Sequence, residues 1–97
     1  MTDYIETPTI GEMLNEDYLI PMNLSASKLA KEIQVPVSRI NSILRGGRIS
    51  ADTAVRLAKY FGTSDSFFMN LQADIDVRNA RIAIASELEK IPVAVSF

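Results

Sequence analysis

Polar side chains capable of reading DNA bases cluster in one short stretch of the chain. Val37, Ser38, Arg39, Asn41 and Ser42 lie within six consecutive positions. Arginine can form two hydrogen bonds with guanine, asparagine can do the same with adenine, serine can pair with either, and valine can touch a thymine methyl group. The apolar residues Ile40, Ile43 and Leu44 recur at helical spacing and predict a helix with this polar face exposed. We therefore expect these five residues to read base edges.

Hydroxyl and basic side chains flank this stretch on both sides. Side chains of these types hold the phosphate backbone, which sets the position of a protein on DNA without reading its sequence. The expected phosphate contacts are Ser27 and Lys28 before the stretch and Arg45 and Arg48 after it. Together, the two groups of residues predict a surface that binds duplex DNA.

A helix-turn-helix arrangement is expected to position these residues. Ser25 is suited to cap a first helix, because its hydroxyl can accept an unpaired backbone N–H. Pro36 disfavours helix in the residue before it and is tolerated at a first helical position, so a second helix should begin there. Gly46 is a natural stop for that helix. A polar, donor-bearing second helix indicates DNA binding; the alternative is a helical hairpin whose outer face is only solvated.

Two further helices follow from capping patterns. Thr9 and Glu12 have the spacing of a capping box, which predicts a helix over about residues 10–19. Ser50 is suited to cap another helix over residues 51–61, since apolar side chains recur there at helical spacing.

The C-terminal third is expected to combine a fifth helix with a strand-like end. Ser64 is suited to cap a helix that begins at Asp65, and helical pattern continues, with a break, to about residue 90. Residues 91–97 then alternate as a strand does. The apolar surface here exceeds what a small monomer usually exposes, so we expect residues 73–97 to form a two-fold homodimer contact. A frayed tail is the alternative.

Composition and charge narrow the class of protein. The chain has 97 residues, of which 47% are apolar, and it suits one all-α domain. Its net charge of −2 conceals a basic central segment: residues 24–60 carry +5, residues 1–23 carry −5 and residues 61–97 carry −2. The basic segment contains the helix pair, as a phosphate-facing surface requires, although a basic stretch can also be only a solvated face.

Catalysis is the least expected function. The chain contains no histidine and no cysteine, so the commonest general base and the strongest nucleophile are absent. Asp74 and Asp76 are two positions apart and do not share a helix face. We expect no catalytic site, no metal and no cofactor. No apolar run reaches the roughly 18 residues of a membrane span, and the N-terminus lacks a signal-peptide layout, which favours a cytoplasmic protein.

Three parts of the chain resemble the HigA-type antitoxins, which are XRE (Cro/C1-like) helix-turn-helix repressors. The matching stretches are Gly11 to Leu14 followed by Pro21 and Leu24-Ser25, then Val35 to Arg48, and finally Ala51 to Ser64 with Phe67 to Gln72. The resemblance covers about residues 8–80. Gln34 departs from it, because related repressors often carry glycine at this turn position.

The resemblance implies a five-helix, lambda-repressor-like bundle over residues 9–72, and residues 1–8 before it are expected to form a flexible arm. It also implies a repressor of its own operon and a neutraliser of a HigB-type ribonuclease toxin. The expected homodimer contact suits a protein that reads a palindromic operator. Two other interpretations stay open. In the first, the chain would be a free-standing repressor without a toxin. In the second, it would be a helical module that binds only proteins, through its acidic N-terminal third and its apolar C-terminal third.

Overall fold

The regular structure of the described residues is entirely helical. The computed structural model describes residues 7–94. The helices are α1 (Ile10–Leu14), which continues directly as a π-helical segment (Asn15–Leu19), α2 (Ala26–Ile33), α3 (Val37–Leu44), α4 (Ala51–Phe61), α5 (Phe67–Ala83) and α6 (Ala85–Leu88). No strand occurs between residues 7 and 94. The predicted all-α bundle with a helical extension is confirmed.

The first helix begins at the predicted capping box. The Thr9 hydroxyl accepts the N–H of Glu12 at 3.1 Å, and the Glu12 carboxylate accepts the N–H of Thr9 at 3.0 Å. The second half of the predicted helix has π-helical bonding, in which each N–H reaches back five residues. Leu14 and Leu19 are five positions apart, so both are buried. The helix over residues 10–19 is confirmed, with a wider second half.

Helix α1 packs directly against the C-terminal part of α3 at Gly11. A Cβ atom on Gly11 would overlap the carbonyl oxygen of Ile43 and would lie 2.9 Å from the Cα of Leu44. Only glycine permits this approach of the two backbones. The contact fixes the back of α3, and the opposite face of that helix is left free.

The side-chain caps of α2 and α4 form as the sequence predicts. The Ser25 hydroxyl accepts the N–H of Lys28 at 3.0 Å, and the Ser50 hydroxyl accepts the N–H of Thr53 at 3.3 Å. Each cap satisfies one backbone donor that the first turn of a helix leaves unpaired. The two helices that frame α3 therefore start where predicted.

Two other helix starts differ from the prediction. Pro36 is extended (ψ 143°) and precedes α3, so that helix starts one residue later, at Val37. The cap predicted at Ser64 is wrong. The carbonyl oxygen of Ser64 instead closes a turn on the N–H of Phe67 at 3.1 Å, and α5 begins at Phe67 without a side-chain cap.

The described part of the C-terminal region is helical and contains no strand. Helices α5 and α6 confirm the predicted helical continuation with a break. The strand predicted over residues 91–97 is wrong for residues 91–94, which form no strand; the N–H of Ile91 closes a turn on the carbonyl oxygen of Leu88 at 3.1 Å. Residues 95–97 lie outside the described residues, as do residues 1–6 of the predicted arm.

Apolar side chains from α1 to α5 share one core. Its most deeply buried large members are Phe68, Leu14, Leu29, Ile40 and Leu57. Beside them, the ring centroids of Tyr18 and Phe61 are 4.4 Å apart, and those of Phe61 and Phe68 are 6.2 Å apart. Burial of aromatic rings at such separations is strongly stabilising. The core thus holds α2 and α3 in a fixed relation to α4 and to the start of α5.

Candidate nucleic-acid interface

The predicted base-reading residues lie on α3, which is anchored by its inner face. Ile40 and Ile43 are 0% and 2% exposed and belong to the core. The other face carries the exposed side chains of Val37, Ser38, Arg39 and Ser42 and the half-buried Asn41. Arginine, asparagine and serine all offer donors that suit base edges. The exposed surface of α3 is therefore chemically able to read a DNA groove.

An open groove runs between α3 and the N-terminal end of α4. It is lined by Pro36, Ser38, Arg39, Ser42, Ile43, Arg48, Ser50, Asp52 and Thr53. Four predicted DNA-contact residues meet here, namely Ser38, Arg39, Ser42 and Arg48. Hydroxyl and guanidinium groups on facing elements can bind base edges and phosphates together.

The other predicted contacts do not line this groove. Two of them, Val37 and Asn41, are base-reading residues of α3, and the other three are phosphate contacts. Ser27 and Lys28 are exposed in the first turn of α2, and Arg45 is exposed directly after α3. The Lys28 ammonium is 3.9 Å from a carboxylate oxygen of Glu32, and both side chains remain largely accessible. An exposed pair of this kind contributes little to stability. Lys28 is therefore free to exchange its partner for a phosphate.

Asp52 on α4 contacts the arginine of the base-reading face. Nη1 of Arg39 lies 3.3 Å from Oδ1 of Asp52 and 3.5 Å from the hydroxyl of Thr53. Both contacts use the same nitrogen, so Nε and Nη2 have no partner among residues 7–94. The carboxylate orients the guanidinium and leaves two of its nitrogens able to donate to a base.

Arg56 joins α4 to the turn of the helix pair. Its Nε donates to Oδ1 of Asp52 at 2.8 Å, and its Nη1 donates to the carbonyl oxygens of Ile33 at 2.8 Å and Gln34 at 3.4 Å. The side chain therefore folds back onto the end of α2. The only sequence signal was its position four residues after Asp52.

Gln34 takes the conformation that glycine adopts easily. Its backbone is left-handed, with φ 63° and ψ 49°, and its N–H bonds to the carbonyl oxygens of Ala30 and Lys31. A left-handed backbone costs a non-glycine residue roughly 1–2 kcal/mol. The departure from the glycine common in related repressors thus leaves the turn geometry unchanged. The hydrogen bond from Arg56 to Gln34 helps to hold it.

Arg48 is tied to α5 by a two-bond ion pair. Its Nη1 and Nη2 each donate to a carboxylate oxygen of Asp76 at 2.7 Å. The buried side chain of Gln72 donates to Asp76 at 3.1 Å and accepts the N–H of Ile49 at 3.2 Å. Hydrogen bonding from Arg48 lowers the pKa of Asp76, and Asp76 in turn raises the pKa of Arg48. The sequence assigned Asp76 to no site and did not predict this network.

The described part of the chain has neither a group of metal ligands nor a membrane-spanning helix. Residues 7–94 contain no group of three or more acidic, histidine or cysteine side chains placed to hold a metal ion. Over the same range, no helix has the length and apolar character needed to cross a membrane. What residues 7–94 do offer is an exposed set of donors and cations on α2, α3 and the loop after α3.

This chain is similar in sequence and in structure to several known proteins. A family model described as helix-turn-helix matches residues 16–68. The chain is 50% identical over 78 residues to virulence-associated protein I of Dichelobacter nodosus, covering 77% of the chain and 72% of that protein. It is 30% identical over 73 residues to antitoxin HigA-1 of Vibrio cholerae, covering 75% and 70%. Its structure matches that of Pseudomonas aeruginosa antitoxin HigA with the higBA promoter at a TM-score of 0.82, with 34% identity, over 92% of this chain and 98% of that one.

Proposed function

This chain belongs to the HigA-type antitoxins of the helix-turn-helix family, and we propose that it binds operator DNA, represses its own operon and neutralises a cognate ribonuclease toxin. One observation carries the DNA-binding part. Helix α3 is buried on one side and exposes arginine, asparagine and serine on the other, in a fold shared with an antitoxin solved with promoter DNA. A helix presented in this way is suited to enter a major groove.

The residues divide into those that read sequence and those that set position. The proposed base contacts are Val37, Ser38, Arg39, Asn41 and Ser42. The proposed phosphate contacts are Ser27, Lys28, Arg45 and Arg48, which flank α3 along the chain and lie on surface positions. Base contacts discriminate between sequences, whereas phosphate contacts strengthen binding to every duplex and make it sensitive to salt.

A second copy of the chain would let the protein read a palindromic operator. The C-terminal part of the chain carries large exposed apolar side chains, namely Val77, Ile82, Ile84, Ile91 and Val93. Such a surface is typical of a protein–protein contact. To read two half-sites on successive turns of DNA, a two-fold dimer through this region must hold its two α3 helices roughly 34 Å apart.

The toxin part of the proposal is supported by family membership. On α1 and the π-helical segment, Glu12, Glu16 and Asp17 are exposed. Acidic side chains in this position complement a basic protein, and a ribonuclease needs a basic surface to hold RNA. Co-expression with the adjacent gene tests this part. A neighbouring product that is neither toxic alone nor retained by this chain would favour the free-standing repressor.

A gel-shift titration with DNA from upstream of the gene tests DNA binding. Asn41→Ala should weaken binding to the operator by roughly 1–3 kcal/mol and relax specificity at one position. Arg48→Ala should weaken binding to all sequences and lower the slope of log affinity against log salt by about one unit. Lys59→Ala, which removes an exposed charge near the end of α4, is the matched control, because Lys59 lies outside the proposed DNA contacts and outside residues 73–97. Equal losses from Asn41→Ala on every sequence would contradict its assignment.

A further inference from the structure

We propose that Asp76 and Gln72, both on α5, are positioning residues for the DNA contact of Arg48. The proposal rests on the proposed function, in which Arg48 holds a phosphate. Asp76 and Gln72 lie on a different element from every proposed DNA contact. They act through the loop between α3 and α4, which carries Arg48.

Helix α5 holds this loop at two adjacent points. The N–H of Ile49 is bonded to the buried side-chain oxygen of Gln72, and the guanidinium of Arg48 is bonded through two nitrogens to Asp76. Gln72 also donates to Asp76 at 3.1 Å, so the amide orients the carboxylate. Backbone and side chain of the loop are thus fixed by one connected set of hydrogen bonds. A connected set of this kind holds its members more firmly than separate bonds do.

The ion pair leaves Arg48 able to bind an anion. A guanidinium has five N–H donors in a fixed plane, and Asp76 takes one from each of the two Nη atoms. Three donors remain. The side chain of Arg48 is 69% exposed and lines the groove beside α3. A long side chain that is ordered before DNA arrives loses less conformational freedom on binding.

A charge-conserving variant separates positioning from electrostatics. Asp76→Glu keeps the negative charge but shifts the carboxylate by one methylene group, so the two-bond geometry is lost. In the full chain, titrated with a mixed-sequence duplex at several salt concentrations, the affinity should fall roughly three- to tenfold. The salt slope should fall by about one, as it does for Arg48→Ala. Asp74→Glu, an exposed neighbour on the same helix, should leave both quantities unchanged.

A double-mutant cycle shows whether the effect runs through Arg48. Asp76→Glu should add nothing in the Arg48→Ala background, because the contact it positions is already absent. Gln72→Leu, which changes no charge, should repeat the loss of slope and covers the case in which Asp76→Glu fails to fold. Circular dichroism establishes that each variant is helical before its DNA binding is compared.

Three results would overturn the inference. An unchanged salt slope with a lowered melting temperature would make the network a stabiliser of the fold alone. Tighter binding by Asp76→Glu would mean that Asp76 competes with the phosphate for Arg48. An equal loss in the Arg48→Ala background would show that the effect bypasses Arg48. Wild-type protein that binds no duplex at all would defeat the proposed function as well, which distinguishes the two failures.

Discussion

Nη1 of Arg56 donates a 2.8 Å hydrogen bond to the carbonyl oxygen of Ile33, the last residue of α2. The same guanidinium binds Asp52, and Asp52 contacts Arg39 on the base-reading face. A continuous set of contacts therefore runs from the end of α2, across α4, to the exposed side of α3. Arg56, which belongs to neither helix of the motif, thus contacts the end of α2 directly and the exposed face of α3 through Asp52.

Removing this link should destabilise the fold. Arg56→Met keeps most of the side-chain volume but leaves the end of α2 without its donor. We expect the free energy of unfolding in urea to fall by about 1 kcal/mol, which is less than the roughly 1.5–3 kcal/mol of a hydrogen bond to a charged group, because the site is partly exposed. Lys59→Met removes a fully exposed charge one turn later and should change the stability by less than about 0.5 kcal/mol. Equal stability of the two variants would contradict the capping role.

The turn between α2 and α3 offers a test in the opposite direction. Gln34 has a left-handed backbone, so Gln34→Gly should remove roughly 1–2 kcal/mol of strain and add about 0.5–1 kcal/mol of backbone entropy to the unfolded state. The net effect should be a small gain in stability, of about 0.5 kcal/mol. Gln34→Val should lower it, since a β-branched residue tolerates positive φ poorly. Thermal unfolding of the three proteins orders them, and a glycine variant below wild type would refute the strain argument.

The contrast between the serine caps and Arg56 marks how far the sequence predicts this structure. The caps at Ser25 and Ser50 bind a backbone N–H three residues away, so the local sequence contains the whole interaction. Arg56 and Ile33 are 23 positions apart, and Arg48 and Asp76 are 28 apart. The periodicity of the sequence does not predict such pairs, because only the packing of α4 and α5 brings them together.

The same reasoning explains the errors at the C-terminal end. Ser64 has the composition of a cap, but its carbonyl oxygen forms a turn that delays α5 to Phe67. Alternation over residues 91–94 has no neighbouring strand to pair with in the described part of the chain, and an isolated strand has no partner for its backbone groups. Local pattern predicted both features, and tertiary context decided against them. The polar face of α3 was predictable because its period alone separates Ile40 and Ile43 from their polar neighbours.

The ion pair between Arg48 and Asp76 predicts a pH dependence of stability. The pKa of Asp76 is lower in the folded protein than its ordinary value, so the unfolded chain takes up a proton first as the pH falls. The contribution of the ionised carboxylate is therefore complete above the ordinary aspartate pKa, about 3.9. It declines as the pH drops below that value, through the folded pKa. Wild type and Asp76→Asn should therefore differ in melting temperature by a constant amount between about pH 5 and pH 7, because this range lies above the ordinary pKa. The difference should shrink below about pH 4.

The matched variant for this experiment is Asp74→Asn, which removes an exposed carboxylate from the same helix. Its melting temperature should follow that of wild type at every pH. A difference between wild type and Asp76→Asn that persists undiminished in acid would show that the carboxylate acts through packing and not through its charge.

The exposed apolar side chains of the C-terminal region predict a dimer that a single charge should weaken. Ile84 is 42% exposed at the break between α5 and α6, and Val77 on the same helical region is 57% exposed. Burying an ionised carboxylate in an apolar contact without a partner is strongly unfavourable, so Ile84→Glu should shift the protein towards monomer. Val55→Glu adds the same charge at an exposed apolar position of α4, outside residues 73–97, and should leave the association unchanged. Sedimentation equilibrium at several concentrations measures both.

Since a dimer occupies two half-sites, Ile84→Glu should also weaken binding to a palindromic operator more than binding to a single half-site. Full dimerisation of Ile84→Glu would place the two-fold contact elsewhere on the molecule.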